Sequence, residues 1–89
     1  MVFEGEYING KKDGKCKEYY NSSNGELKFE GNYLNGERNG FGKEYDNNGR
    51  LIFEGEFLNG KRNGKGKEYE NRILIFEGEY NNGKRIINS

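Results

Sequence analysis

Three stretches of the sequence have the glycine and lysine spacing of a phosphate-binding loop. They start at Gly5, Gly55 and Gly78, and the second reads Gly55-Glu56-Phe57-Leu58-Asn59-Gly60-Lys61. Such a loop also needs Ser or Thr after the lysine to bind Mg²⁺, and a helix whose N-terminus faces the phosphate. Arg or Lys follows each lysine here, and no helical pattern comes after it. We interpret these stretches as a repeated strand and turn, and expect no cofactor.

An acidic turn and one cysteine are the remaining candidates for chemistry. Asp46-Asn47-Asn48-Gly49 begins like a calcium loop, but Arg50 stands where an oxygen ligand is needed, so we predict a turn and no metal site. The chain has no histidine, the usual general base near neutral pH. Cys16 therefore has no partner for nucleophilic catalysis, and we expect a buried residue at a glycine site. We predict no catalytic residues and no enzyme activity.

Composition sets expectations about partners and location. The 15 basic and 15 acidic residues cancel, whereas nucleic-acid binders carry basic excess, so we expect no nucleic-acid partner. A single cysteine fits a reducing compartment. No apolar run approaches the roughly 18 residues of a membrane span, and patterned sequence begins at once, without room for a signal peptide. We expect an intracellular, cytoplasmic protein, with a position peripheral to a membrane or the cytoskeleton left open.

An internal repeat organises the chain. The segment Phe-Glu-Gly-x-aromatic starts at Phe3, Phe29, Phe53 and Phe76, which gives one domain, 1–89, with repeats 3–28, 29–52 and 53–75 and a half-repeat 76–89. Each repeat holds two short alternating runs bounded by Asn-Gly or Asp-Gly, a pattern typical of β-hairpins. We predict an all-β fold, an elongated single-layer antiparallel sheet of stacked β-hairpin repeats with about seven strands.

The alternation also predicts the register. Gly31 opposite Gly42 places Glu30 opposite Lys43, and a two-residue turn at Asn48-Gly49 brings Gly42 to Gly55. The same rule pairs the other repeats as Gly5–Cys16, Glu4–Lys17, Glu6–Lys15, Gly55–Gly66, Glu54–Lys67 and Glu56–Lys65. A one-residue slip would move every side chain to the other face. We expect the Asn71-Arg72-Ile73 junction, which lacks the Asn-Gly signal, to be irregular.

One face of this predicted sheet carries glycines flanked by rings. The rings are Phe3, Tyr7, Phe29, Tyr33, Phe53, Phe57, Phe76 and Tyr80. They either form a thin core by folding over the glycines or offer a trough to a helix or peptide of a partner. Glu18, Glu44 and Glu68 fall on this face opposite phenylalanines, so either that end is open to water or a bulge redirects the strand.

Basic residues recur where the hairpins turn. Lys11, Lys12, Arg38, Lys61, Arg62, Lys84 and Arg85 predict a basic edge. That edge suits a membrane phospholipid headgroup or an acidic partner, although charged residues are also ordinary in turns. The last strand has no complete partner. Ile86-Ile87 either folds back as a short strand or leaves an open edge, which predicts weak self-association.

The stretch from Phe53 to Gly66 resembles the MORN repeat, a hairpin of the pattern Tyr-x-Gly-x-aromatic followed by Asn-Gly-x-x-x-Gly-x-Gly. The Lys-Glu-Tyr that ends each second segment is closer to the variant repeat of YwqK-type antitoxin proteins, and Cys16 replaces a family glycine. The resemblance implies a twisted single-layer sheet that acts as a scaffold. We predict a non-catalytic scaffold or protein–protein interaction module, with an antitoxin-like neutralising partner of a toxin and a phospholipid-targeting module as alternatives.

Overall fold

The computed structural model describes residues 2–21 and 25–87. Its strands are β1 (Val2–Ile8), β2 (Lys11–Tyr19), β3 (Leu27–Leu34), β4 (Glu37–Tyr45), β5 (Leu51–Leu58), β6 (Lys61–Glu70), β7 (Ile73–Asn81) and β8 (Lys84–Arg85). Each pairs with the next along the chain in one antiparallel sheet of 44 × 30 × 14 Å. The predicted all-β single layer is confirmed. The described residues contain no helix that could cross a membrane.

The turns follow the predicted Asn-Gly signals at four of the six described connections, and the other two are built differently. Asn35 (φ 51) and Gly36 (φ 87) join β3 to β4 in a two-residue turn with both φ angles positive, and three equivalent Asn-Gly pairs do the same. Asn71 and Arg72 have positive φ and form a two-residue turn between Glu70 and Ile73, and the irregularity expected at this junction lies beside the turn, where the register shifts between Glu68 and Tyr69. The predicted two-residue turn at Asn48-Gly49 is wrong, because Tyr45 pairs with Leu51 around a longer loop.

The register matches prediction at the glycines and departs from it towards the hairpin turns. Gly31 pairs with Gly42, and Gly42 pairs in turn with Gly55. Beyond Gly55, however, Phe57 pairs with Arg62 because three residues of β6 bulge outward around Gly64 (φ 99). The predicted pairs Glu56–Lys65 and Glu6–Lys15 are therefore wrong.

Glycine is required where the strands approach each other most closely. A Cβ atom on Gly55 would lie 2.6 Å from the Cα atom of Gly66 and 2.6 Å from the carbonyl oxygen of Lys65. A Cβ atom on Gly42 would lie 2.5 Å from the Phe29 ring. The rings therefore fold over bare backbone, which provides cover at positions that otherwise weaken a strand.

The core of this single layer is a continuous row of rings on one face, which we call the aromatic face. Neighbouring rings meet edge to face with centroids 5.2 to 5.8 Å apart. The row runs in the order Tyr7, Phe3, Tyr33, Phe29, Phe57, Phe53, Tyr80 and Phe76. Each such pair adds about 0.5–1.5 kcal/mol beyond the burial of its area. Contacts between repeats thus hold together a sheet that lacks a second layer.

Candidate interaction surfaces

The aromatic face is largely occupied by its own side chains. Phe29, Tyr33, Phe53, Phe57 and Tyr80 are buried, and Phe3 and Phe76 are half-buried. Tyr7, at the β1 end of the row, is the exception with 57% of its surface exposed. Of the two interpretations of these rings, the thin core describes most of the row, and the accessible ring surface lies at its two ends.

Cations cover the rings from the hairpin side. Arg38 lies over Phe29 with its guanidinium carbon 3.9 Å from the ring centroid, and Arg62 lies 4.1 Å over Phe53. Lys12 over Phe3 and Arg85 over Phe76 occupy the equivalent places. The two-residue hairpin turn brings these side chains to the aromatic face, because it pairs each of them with the second ring of its repeat, as in Tyr33 with Arg38 and Tyr80 with Arg85.

The glutamates that the sequence left unexplained are the counter-ions of these arginines. Glu44 bonds Nε of Arg62 at 2.9 Å and lies 3.7 Å from Nη1 of Arg38. Glu18 bonds Arg38 at 3.0 Å, and Glu68 bonds Arg85 at 2.8 Å. The result is a ladder in which acidic and basic side chains alternate from repeat to repeat, the Glu–Arg ladder. Of the two predicted explanations, a bulge is present, because the register shifts directly after Glu18, Glu44 and Glu68. It does not turn the glutamates away, since each still pairs with a phenylalanine, and Glu18 is buried rather than open to water.

Tyrosine hydroxyls complete this ladder in two of its three steps. Tyr33 donates a hydrogen bond to Glu18, and Tyr80 donates one to Glu68. Phe57 takes the place of Tyr33 and Tyr80 in the intervening repeat, and it has no hydroxyl to donate to Glu44. Burial alone would raise the pKa of the Glu18 carboxyl, but the bond from Tyr33 and the charge of Arg38 outweigh it, and that pKa lies below its usual value.

The repeat at the C-terminal end shows the same chemistry more strongly. The hydrogen bond from Arg85 lowers the pKa of Glu68 to about 2, although burial opposes the shift. Burial and the bond to Glu68 raise the pKa of Tyr80 to about 12. Near neutral pH, Glu68 is therefore ionised and Tyr80 is protonated and neutral, so the pair stabilises the sheet rather than exchanging protons.

The predicted basic edge divides into two sets of side chains. Lys12, Arg38, Arg62 and Arg85 turn to the aromatic face, where rings and glutamates surround them. Lys11, Lys61 and Lys84 are exposed at the hairpin turns, and Glu37 takes the equivalent place in β4. The sequence pattern predicted all seven side chains on one edge. Because side chains alternate between faces along a strand, the first of each pair lies at the turn and the second on the aromatic face.

The opposite face carries alternating glutamate and lysine, and we call it the charged face. Glu30 faces Lys17 on one side and Lys43 on the other. The Lys-Glu-Tyr segment serves both faces. Its lysine and tyrosine act on the charged face, where Tyr45 donates to Glu30 at 2.8 Å and Tyr69 donates to Glu54 at 2.9 Å. Its glutamate joins the Glu–Arg ladder.

A phenylalanine interrupts the charged face. Phe41 is 52% exposed and stands where the neighbouring repeats have Lys15 and Lys65. Two shallow grooves of about 580 and 560 Å³ lie on this face, and Phe41 lines both. The paired positions Gly5–Cys16 and Gly55–Gly66 lie at the bottom of the first and the second groove, respectively. Phe41 is not among the residues that the repeat pattern predicted for a binding surface. Its signal was an aromatic residue at a position that is otherwise lysine.

Comparison with known families agrees with this architecture. The family model of the MORN repeat matches residues 3–25, 29–49, 53–71 and 76–85, which is most of the chain. The chain belongs to the MORN repeat family. A comparison with curated proteins finds no match.

The hairpin edge of the MORN array also exposes apolar side chains. Ile8, Leu34 and Leu58 each precede an Asn-Gly turn, and each has about half of its surface exposed. Because successive MORN repeats are two strands apart, these side chains recur roughly every 10 Å along the edge. In the described residues, no three His, Cys, Asp or Glu side chains form a group that could hold a metal ion.

Proposed function

We propose that this MORN-repeat protein is a non-catalytic protein-interaction module, and that its partner binds the charged face around Phe41. The observation that carries the proposal is the exposed ring of Phe41 between two grooves. Exposed aromatic side chains that are surrounded by polar residues often contribute most of the binding energy of an interface. The aromatic face gives less support to binding, because five of its eight rings are already buried.

The sheet is well suited to hold such a surface rigid. The Glu–Arg ladder and the row of rings fix the backbone beneath the charged face, so that binding orders few side chains. Preorganised surfaces lose less entropy on association. In repeat arrays, the extended surface is where partners usually bind. The charged rim of glutamate and lysine around Phe41 then favours a partner of mixed charge around an apolar pocket.

Affinity capture from a lysate of the source cells tests the proposal. The bait is the full chain, and the bound proteins are identified by mass. The matched variant is Phe41→Lys, which copies the residue of the neighbouring repeats, and Lys65→Ala is the control on the same face. We expect one stoichiometric partner that binds the wild type and Lys65→Ala and is lost with Phe41→Lys. A partner retained equally by all three baits contradicts the proposal.

Membrane-surface targeting is a second candidate, favoured by the composition of the hairpin edge. Exposed lysines and exposed aliphatic side chains lie together there, and peripheral binding to anionic lipid uses both. Replacing Lys11, Lys61 and Lys84 by Gln should abolish salt-sensitive binding to phosphatidylserine vesicles and leave the captured protein unchanged. Wild-type protein that does not sediment with these vesicles rejects this candidate. The toxin-neutralising alternative depends on what the captured partner is.

A further inference from the structure

The outer edge of β7 lacks a neighbouring strand over most of its length. β7 pairs with β6 from Ile73 to Tyr80 around one bulge, but with β8 only at Tyr80 and Asn81, and the amide of Ile86 donates one bond to the carbonyl of Glu79. In the part of the chain that the structure describes, Ile73 to Gly78 has no strand on its outer side. The interior strands β3 and β5 have a partner on both sides.

The side chains on this edge show what an added strand would cover. Interior strand β5 and edge strand β7 share the tripeptide Leu-Ile-Phe. In β5 its leucine and isoleucine are half-buried, and Phe53 is fully buried. In β7, Leu74 is 46% and Ile75 is 48% exposed, and the adjoining Ile73 is 66% exposed. The same tripeptide is thus more exposed at the edge that lacks a neighbouring strand than in the interior of the sheet.

On both faces, a charged side chain at this edge has an oppositely charged neighbour on one side only. On the charged face, interior Glu54 lies between Lys43 and Lys67, whereas Glu77 faces Lys67 alone. A lysine on the outer side of β7 would restore the interior pattern.

The aromatic face has the corresponding gap. Arg62 bonds Glu44 and places its Nη1 3.6 Å from a second carboxylate, that of Glu68. Arg85 bonds Glu68 through Nε and Nη2, and in the described residues it has no second carboxylate. An acidic side chain opposite Phe76 would occupy the place that Glu68 has in the preceding repeat.

Residues 86 and 87 do not supply this strand in the manner of β2, β4 and β6. In those strands the bulge needs a glycine with positive φ, such as Gly40 (φ 95) or Gly64 (φ 99). Ile87 stands at the equivalent place, and a β-branched side chain strongly disfavours that conformation. Accordingly, Ile86 and Ile87 lie outside any strand.

We infer that the outer edge of β7 binds an extended segment of a partner protein by antiparallel strand addition. The bound segment carries a small residue, a lysine and an acidic residue in succession. The small residue lies opposite Gly78, the lysine opposite Glu77, and the acidic residue opposite Phe76 within reach of Arg85. Backbone hydrogen bonds provide affinity and these side chains provide selectivity. The inference rests on the proposed protein-binding function, at a second surface.

A second copy of the chain fits this edge poorly. In the described residues, the unpaired strand edges are that of β1 and that of β7 before Tyr80, and they carry Glu4 and Glu77 at equivalent positions. Edge-to-edge pairing would set glutamate against glutamate, and like charges opposite each other destabilise a strand pair. The chemistry that fits is that of the lysine-bearing second strand of a repeat.

A synthetic peptide provides the probe. Residues 65–70 of this chain, with both termini blocked, have the required order of side chains and no net charge. The control peptide exchanges the residues corresponding to Lys67 and Glu68, so its composition is identical. Fluorescence anisotropy measures binding to the full-length protein, and amide chemical shifts locate it. We expect the first peptide to bind with shifts concentrated at residues 73–78, and the control peptide to bind about tenfold more weakly.

Two variants of the protein locate the site. Glu77→Lys should weaken the peptide about tenfold, because it reverses the charge opposite the lysine, and Glu37→Lys makes the same change at a turn and should have no effect. Equal binding of both peptides, no binding, or shifts at β1 would overturn the inference. So would a dimer, seen by sedimentation, that the peptide dissociates. Capture through Phe41 does not involve β7, so failure here and failure of the proposed function are distinguishable.

Discussion

Removing one hydroxyl from the Glu–Arg ladder should destabilise the sheet measurably. Tyr33 is 6% exposed, and it donates to Glu18, which is 7% exposed. In Tyr33→Phe the ring keeps its edge-to-face contacts, but Glu18 loses one of its donors and keeps only Arg38. Hydrogen bonds to a charged group contribute about 1.5–3 kcal/mol, and we expect a loss of stability in that range.

The reciprocal variant is Phe57→Tyr. It adds a hydroxyl near Glu44, at the step of the ladder where the other two steps have a tyrosine. Because Glu44 is already bonded to Arg62 and is less buried than Glu18, we expect a smaller gain, of about 0.5–1.5 kcal/mol. Urea unfolding followed by circular dichroism at pH 7 gives both free energies.

The pH dependence separates the hydroxyl from ring packing. The pKa of Glu18 is lowered in the folded protein, so its contribution is complete above its ordinary value of 4.5 and is lost as the pH falls through the folded value. The difference between wild type and Tyr33→Phe should therefore be largest at neutral pH and shrink below pH 4.5. A difference that is constant with pH, or a Phe57→Tyr protein less stable than wild type, refutes the reasoning.

Three further predictions concern other parts of the sheet. Gly66→Ala should cost about 1–3 kcal/mol in urea unfolding, because its Cβ would lie 2.6 Å from the Phe53 ring; a cost no larger than that of Lys65→Ala contradicts the close approach. Glu68→Gln should flatten the loss of stability between pH 4.5 and about 2, since Arg85 holds the carboxyl ionised there; an unchanged acid titration of stability argues against that ion pair. Phe41→Lys should change stability by less than about 0.5 kcal/mol, as surface substitutions do, and a loss above 2 kcal/mol would place Phe41 in the core.

The sequence predicted the parts of the fold that depend on alternation. Side chains alternate between faces along a strand, so the pairs Gly31–Gly42 and Glu30–Lys43 follow once the repeats are aligned. The pair Glu56–Lys65 fails because the bulge at Gly64 adds residues to one strand only, and a two-residue period has no means to show this. Asn-Gly occurs at both turns and bulges in this chain, whereas the pattern alone predicts turns.

The candidate surfaces were harder to predict, because they join residues of different repeats. Arg38 follows a turn and precedes a bulge, and it meets Glu18 of the preceding repeat. Grouping it with the turn lysines missed this pairing. Phe41 was visible in the sequence as a departure from lysine, but its exposure depends on the bulge that precedes it. Local alternation predicts a strand, whereas a surface depends on how successive strands are offset.

The most direct test of the central claim, that a protein partner binds around Phe41, is a calorimetric titration of the captured partner into three purified proteins. These are the wild type, Phe41→Lys and Lys65→Ala, each first shown to be folded. Loss of an aromatic energetic centre costs about 2 kcal/mol or more, so the account predicts binding weakened at least roughly thirtyfold for Phe41→Lys and less than about threefold for Lys65→Ala. Equal affinity for all three proteins would contradict the account.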